Sequence, residues 1–266
     1  MLPIFLLTDF GTADECAAVL KGVIRAISPT AEVSDISHNI PPFDVCKGAV
    51  VLAAALPFLP PGVCLAVVDP GVGTERRALL LECGRGDLLL GPDNGLLLPA
   101  AARLGGISAA WSVESGDLFP RSPHPTFHGR DIFAPVAARL AGGLPPHQVG
   151  PPVDVASLAP APWRKAVEGP GVLYCQVVDV DRFGNLRLGA EAEMLEKIAT
   201  VGNAVKVDLG EVLYDATVAD TFGRVEPGAI VLYEDSSGLL GLAMREGNLA
   251  DRSGARPLQF VILYLG

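Results

Sequence analysis

Gly48 to Val68 is a run of 21 residues without a charged side chain. A stretch that long could cross a bilayer as one helix. Pro57, Pro60 and Pro61 interrupt it, however, and divide it into an apolar helix and a strand over Val63 to Val68. Both pieces need cover on most sides, so the run calls for a layered α/β structure with a soluble, buried helix–strand pair. The strand then leads into Asp69-Pro70-Gly71-Val72-Gly73-Thr74-Glu75-Arg76-Arg77, a carboxylate followed by two glycines and two arginines. Open α/β sheets bind ligands outside the carboxyl ends of their strands, where Asp69 falls. Gly71 and Gly73 allow close backbone approaches, and Arg76 is far enough along for the loop to fold back beside Asp69. Taken alone, the loop reads equally well as a Pro-Gly turn with solvent-exposed arginines.

The flanking chain keeps the same rhythm. Leu2 to Thr8 is an apolar strand ended by Asp9-Phe10-Gly11, Asp14 to Ile27 a helix, Glu32 to Ile36 a strand, and Asp44 to Phe58 a helix. Leu79 to Cys83 and Leu88 to Leu90 are short strands. Pro92-Asp93-Asn94-Gly95 opens a helix reaching about Leu104, with Asp93 or Asn94 as its N-cap. Ser108 to Val113 is a strand and Arg130 to Leu140 a helix. Strands alternating with helices predict a parallel or mixed sheet flanked by helices over residues 1–144. Six prolines between Pro145 and Pro162 mark residues 145–169 as a linker or extended wrap. From Val172 the chain reads as short β runs, Val172 to Val178, Leu186 to Leu188, Ala204 to Val207, Ala229 to Tyr233, Leu239 to Met244 and Leu258 to Leu265, with one helix, Glu191 to Ile198. Residues 170–266 are therefore expected to form a smaller antiparallel β domain, a sandwich or barrel.

Bulk properties exclude several functions. A formal net charge of −10 argues against nucleic acid, which needs a basic face. Five cysteines without a C-x-x-C pair read as buried free thiols in a reducing compartment. No basic region precedes the first apolar run, so a signal peptide is not expected and the location is read as cytoplasmic. The dinucleotide fingerprint fails because Arg76 stands where its third glycine belongs, and no P-loop occurs.

The residues able to carry chemistry are Asp9, Asp69 and Asp93 near strand ends, with His128 and Asp131 in Thr126-Phe127-His128-Gly129-Arg130-Asp131. Two constellations fit. In one, Asp and His side chains bind a metal that activates water. In the other, Asp69, Arg76 and His128 hold and polarise a water without a metal, since a neighbouring guanidinium favours a charged carboxylate. Asp93 and Asp131 also suit plain turn and first-turn helix positions. His38, His124 and His147 show no ligand spacing. Asp181-Arg182-Phe183-Gly184-Asn185 reads either as a β-turn or as an amide beside an aromatic, able to meet a purine edge. Asp235-Ser236-Ser237-Gly238 reads as a hairpin turn.

Five segments in order, Leu7-Thr8-Asp9-Phe10-Gly11, Val68-Asp69-Pro70-Gly71-Val72-Gly73, Pro92-Asp93-Asn94-Gly95, Thr126 to Asp131, and Asp181 to Asn185, resemble one family. These are the adenosine-forming S-adenosyl-L-methionine (SAM) hydrolases, also called SAM hydroxide adenosyltransferases, sisters of fluorinase and chlorinase. The resemblance implies an N-terminal α/β domain, a C-terminal β domain, and a homotrimer with SAM at the subunit interface. It implies attack of water on C5′ of SAM, without a metal or other cofactor. The catalytic set corresponds to Asp69, Arg76 and His128. Asp9 corresponds to the ribose carboxylate, Asp14 to a contact at the methionine end, and Phe43 to an aromatic lining the pocket. Asp181 and Asn185 match adenosine contacts from the neighbouring subunit, and Ser236 a methionine carboxylate contact.

Two positions favour hydrolysis over halide transfer. The halogenases resembled carry a tyrosine at the position of Asp69, and fluorinase a serine at that of Gly129; a charged Asp69 repels an anion. Cys16 and Met244-Arg245-Glu246 depart from the family pattern near the methionine end and the adenine. The alternatives are a halide adenosyltransferase, a non-catalytic SAM or adenosine binder, and the metal-dependent hydrolase.

Overall fold

A computed structural model describes residues 1–119, 123–194, 199–210 and 212–264. Contacts divide the chain into two units, Met1–Pro162 and Trp163–Gly266.

The first unit runs through β1 (Ile4–Thr8), α1 (Cys16–Ile27), β2 (Val33–Ser37), α2 (Val45–Ala55), β3 (Val63–Val67), β4 (Ala78–Cys83), β5 (Leu88–Pro92), α3 (Leu98–Arg103) and β6 (Ile107–Ser112). A π-helical turn, Gly129–Phe133, leads into α4 (Ala134–Ala141). The strands form one sheet in the order β2-β1-β3-β5-β4-β6. Strands β1, β2, β3 and β5 are parallel, whereas β4 is antiparallel to both its neighbours. Every residue of β1, β3 and β5 is buried, as continuous apolar runs covered on both faces require. Ile4 and Leu6 pack with Leu20 and Ile24 of α1 and the apolar residues of α4 in one core. The alternate residues face α2, where a Cβ at Gly48 would lie 3.1 Å from Val68 and 3.7 Å from Leu7. Each fully buried Leu or Ile contributes roughly 2 kcal/mol.

The strand order sets the position of a ligand site. The chain leaves β1 for β2 on one side, then returns to β3 on the other. Its topological switch point therefore lies between β1 and β3, where Thr8 pairs with Val67. Asp9 and Asp69 follow these two strand ends.

Two local expectations change. Helix α3 starts at Leu98 with Leu97 at its N-cap and no side-chain cap, so neither Asp93 nor Asn94 caps it. Asp93 is instead taken up by Arg77 Nε, 2.8 Å away, and by the Ala159 N–H at 2.9 Å. The segment expected as a helix from Arg130 begins as the π turn. Pro135 has no N–H to continue an α-helical ladder there, and Ala134 N–H bonds back to Gly129 O. The proline-rich stretch lies along β6, with Ser112 N donating to Pro151 O at 2.9 Å and Val153 N to Ala110 O at 2.8 Å.

The second unit contains β7 (Val167–Gly169), β8 (Val172–Val180), β9 (Leu186–Glu191), β10 (Ala204–Asp208), β11 (Leu213–Val218), β12 (Ile230–Glu234), β13 (Leu239–Met244), α5 (Leu249–Ser253) and β14 (Phe260–Tyr264). Its strand order is β14-β10-β11-β12-β13-β9-β8-β7, and pairing of β14 with β8 closes seven strands into a barrel with β7 added outside. Leu173, Cys175 and Val177 alternate inward from β8 and meet Leu186, Leu188, Val261 and Leu263 in the barrel core. The barrel is mixed and not wholly antiparallel, because β11 and β12 run parallel. Their connection crosses over through a 3₁₀ turn at Phe222–Arg224 where a hairpin would reverse the chain. Of the helix expected over Glu191 to Ile198, Glu191 ends β9, Ala192–Met194 form a 3₁₀ turn, and residues 195–198 lie outside the described residues. Leu265, expected at the end of the last strand, lies outside them too. All five cysteines are free thiols, four of them buried. No helix among the described residues is long and apolar enough to cross a membrane.

Candidate active site

Asp69, Arg76 and His128 form one connected group. The loop after β3 turns twice, with Val72 N bonded to Asp69 O at 3.2 Å and Thr74 N to Gly71 O at 3.1 Å. Gly73 has φ +78°, and a Cβ there would sit 2.7 Å from Pro125 O, so only glycine fits. These turns bring Arg76 back over Asp69. Arg76 Nε donates to Asp69 Oδ1 at 3.1 Å and Oδ2 at 3.0 Å, and Nη2 donates to Oδ2 at 2.5 Å. Both side chains are almost fully buried, at 10% and 4% exposure, so this charge-assisted fork is little screened by water. The Phe133 ring lies under the guanidinium, 5.5 Å from its carbon. Asn94 Nδ2 donates to Val68 O at 2.9 Å and fixes the strand end beside Asp69.

Arg76 Nη2 also approaches His128 Nδ1 at 2.9 Å. A guanidinium only donates, so Nδ1 is the acceptor and the imidazole proton resides on Nε2. Burial holds the His128 pKa below the usual histidine value, reinforced by Arg76 and opposed by Asp69 and Asp131. The ring is thus a neutral acceptor. His128 immediately precedes the π turn, a feature frequent at functional sites. Among the described residues, no group of three or more His, Cys, Asp or Glu side chains is placed to hold a metal ion. Asp69 and His128 converge on a guanidinium cation.

The switch point also brings Asp9 and Phe43 together. Phe43 N donates to Asp9 Oδ2 at 2.9 Å. Phe43 takes the left-handed φ of +68° and is 71% exposed, and backbone strain with an exposed aromatic is a mark of functional loops. Asp44 caps α2 by accepting from Lys47 N at 2.8 Å, which anchors the strained residue. Asp14 is exposed in the segment before α1, beside the half-buried Cys16. Asp131 has a structural part: it accepts from Arg130 Nε at 2.5 Å and from His124 N at 2.7 Å.

Asp181, Asn185 and Ser236 line a single cleft of about 660 Å³ in the second unit. Asp181 Oδ1 accepts from Phe183 N and Asn185 N, at 2.8 and 2.9 Å, and Oδ2 accepts from Asn185 Nδ2 at 2.9 Å. The main-chain N–H of Asn185 and one of its amide N–H groups are therefore spent within the turn, while its side-chain Oδ1 is left to accept. Phe183, the aromatic expected beside the amide, is one wall, and others that the sequence did not point to include Phe222, Tyr233 and Arg187. Phe222 and Tyr233 pack edge to face with centroids 4.9 Å apart. Burial, with Asp235 and Asp181, pushes the Tyr233 hydroxyl up to about 12, against the pull of Arg187. Arg187 Nε bonds Asp235, whose Oδ1 accepts from Ser237 N at 2.7 Å and thereby shapes the turn carrying Ser236. An aromatic, acidic cleft suits a flat, cationic or hydrogen-bonding ligand.

Comparison with known proteins identifies the lineage. Residues 4–150 match the SAM hydroxide adenosyltransferase N-terminal domain and residues 175–262 the C-terminal domain. A protein of Salinispora tropica called (R)-S-adenosyl-L-methionine hydrolase is 45% identical over 94% of this chain and 93% of its own. One of the same name from Thermus thermophilus is 42% identical over 96% and 97%. A fluorinase of Actinoplanes is more distant, at 30% identity over 93% and 92%. The crystal structure of an uncharacterized conserved protein from Thermotoga maritima superposes with a TM-score of 0.90 at 35% identity, covering 98% of this chain and 99% of that one. The chain belongs to the SAM hydroxide adenosyltransferase family.

Proposed function

We propose that the protein hydrolyses SAM to adenosine and L-methionine, with Asp69, Arg76 and His128 as its catalytic set. The observation that carries this is the continuous Asp69–Arg76–His128 contact at the carboxyl end of β3. Asp69 accepts a hydrogen bond from a water and aims its oxygen at C5′. Arg76 fixes the carboxylate and balances its charge, and neutral His128 fixes Arg76. The water oxygen bonds to C5′ as the C5′–S bond breaks, and its electron pair leaves on a neutral thioether. One proton is released, and no redox partner is needed. Sulfonium is already a good leaving group, so positioning supplies most of the catalysis.

Asp9 takes the ribose hydroxyls in charge-assisted hydrogen bonds, with Phe43 as an aromatic wall and Asp14 at the methionine end. Asp181 and Asn185 take the adenosine, and Ser236 the methionine carboxylate, from a neighbouring copy in a homotrimer. The family resemblance supports this sharing; a monomeric mass at full activity would contradict it. The reaction is read as metal-independent and cytoplasmic, with neither nucleic acid nor a membrane as partner.

Incubation with SAM in ¹⁸O-labelled water tests the reading. Labelled adenosine, unchanged by a chelator, is expected. Chloride-dependent 5′-chloro-5′-deoxyadenosine would move the assignment to halide transfer, loss with chelator to metal chemistry, and binding without turnover to a sensor.

A further inference from the structure

His38 has no part in the proposed chemistry, yet it is buried, at 4% exposure, against the strand end that carries Asp9. Its Nδ1 lies 2.8 Å from Thr8 Oγ1, and Thr8 is fully buried. The same hydroxyl accepts from Phe10 N at 3.2 Å. The backbones are joined as well, with Gly11 N donating to His38 O at 2.7 Å and Ile40 N to Thr8 O at 3.4 Å. On its other side, His38 Nε2 lies 3.1 Å from Asp35 Oδ1, short of hydrogen-bond alignment and so the weaker ring contact. Asp35 Oδ2 receives Lys21 Nζ at 2.6 Å.

These contacts favour one arrangement of the protons. A carboxylate paired with Lys21 accepts only, which favours the neutral His38 tautomer with its proton on Nε2 towards Asp35 and with Nδ1 as an acceptor. Thr8 then donates its one hydroxyl proton to Nδ1 and accepts the Phe10 N–H with a lone pair. Every strong contact of the Thr8–Gly11 turn is satisfied, and Asp9 is its second residue.

We infer that His38 is a positioning residue for substrate binding: through Thr8 it holds the turn that presents the Asp9 carboxylate. This rests on the reading of Asp9 as the ribose ligand. Without the Nδ1 acceptor, the Thr8 hydroxyl loses its partner in a dry site and the turn loosens. Substrate binding then suffers while the Asp69 group is untouched.

The test is steady-state kinetics with SAM on wild type, His38→Leu, His38→Asn, Thr8→Val and the Thr8→Val/His38→Leu double variant. His38→Leu and Thr8→Val should each raise KM by about tenfold, the cost of one buried hydrogen bond, and change kcat by less than about twofold. His38→Asn, whose amide oxygen can stand where Nδ1 stood, should restore KM. The double variant should be no worse than Thr8→Val, because His38→Leu removes only a contact that Thr8→Val has already lost. An unchanged KM, a fall in kcat alone, or additive losses would overturn the inference. Thr8→Val carries the comparison if His38→Leu does not fold. Amide exchange separates this claim from the hydrolase reading. Phe10 and Gly11 should exchange faster in Thr8→Val, with α1 unchanged, even if the wild type forms no adenosine; unaltered exchange would contradict the positioning role.

Discussion

Arg76 reaches His128 through Nη2 at 2.9 Å, so the imidazole facing it is neutral and accepts at Nδ1. Protonation of His128 would set two cations against each other and break that contact. With its pKa held below the usual histidine value of 6.5 by burial first and Arg76 second, the ring stays neutral into mild acid. The acid limb of kcat/KM should therefore have its midpoint below 6.5. His128→Asn has no such titration and should lose that limb. Stability follows the same sign. Between the folded and unfolded pKa values the unfolded chain binds more protons, so stability falls as pH drops through 6.5. A limb centred above 6.5 would show another group in control.

Removing Arg76 leaves a buried carboxylate without its partner. Arg76→Ala should cost about 3 kcal/mol in urea unfolding, the range for breaking a buried ion pair. Arg76→Lys keeps the charge but not the fork, and should recover much of that stability while leaving turnover low. Equal turnover in Arg76→Lys and wild type would show that charge alone suffices.

Gly184 holds the Asp181–Asn185 turn against α5. Its φ is +80°, and a Cβ would come within 1.8 Å of Asn248 Oδ1, the side chain that caps α5 by accepting from Asp251 N. Gly184→Ala should lower stability by about 2 kcal/mol and raise KM for SAM. Gly86 supplies the control, with φ +96° and open space around it. Gly86→Ala should cost less and leave KM unchanged.

Legibility in the sequence followed the locality of the interactions. Strands β1 and β3 and helix α2 were plain because their apolar runs are buried on nearly all sides. Strand β11 was missed because Asp215 and Tyr214 stand among its apolar residues, and α5 because five residues carry too little periodicity. The parallel pairing of β11 with β12 depends on how a crossover returns, which no local pattern encodes. Within the site, a contact between Asp69 and Arg76 was foreseeable from seven residues of loop, whereas that between Arg76 and His128 spans 52 residues. Asp93 was misread as a cap since its partners, Arg77 and Ala159, come from the loop before β4 and the proline-rich stretch. Phe222 and Tyr233 carry no motif, and only the barrel brings them to one cleft.

The central claim is that Asp69 handles the water and not the substrate. Its most direct test is Asp69→Asn, with SAM turnover and SAM binding by calorimetry measured on one preparation. The substitution keeps the shape and removes the charge that orients water. Turnover should fall by at least about 10²-fold with Kd within about threefold of wild type. Lost binding at any residual rate would make Asp69 a substrate anchor and contradict the account.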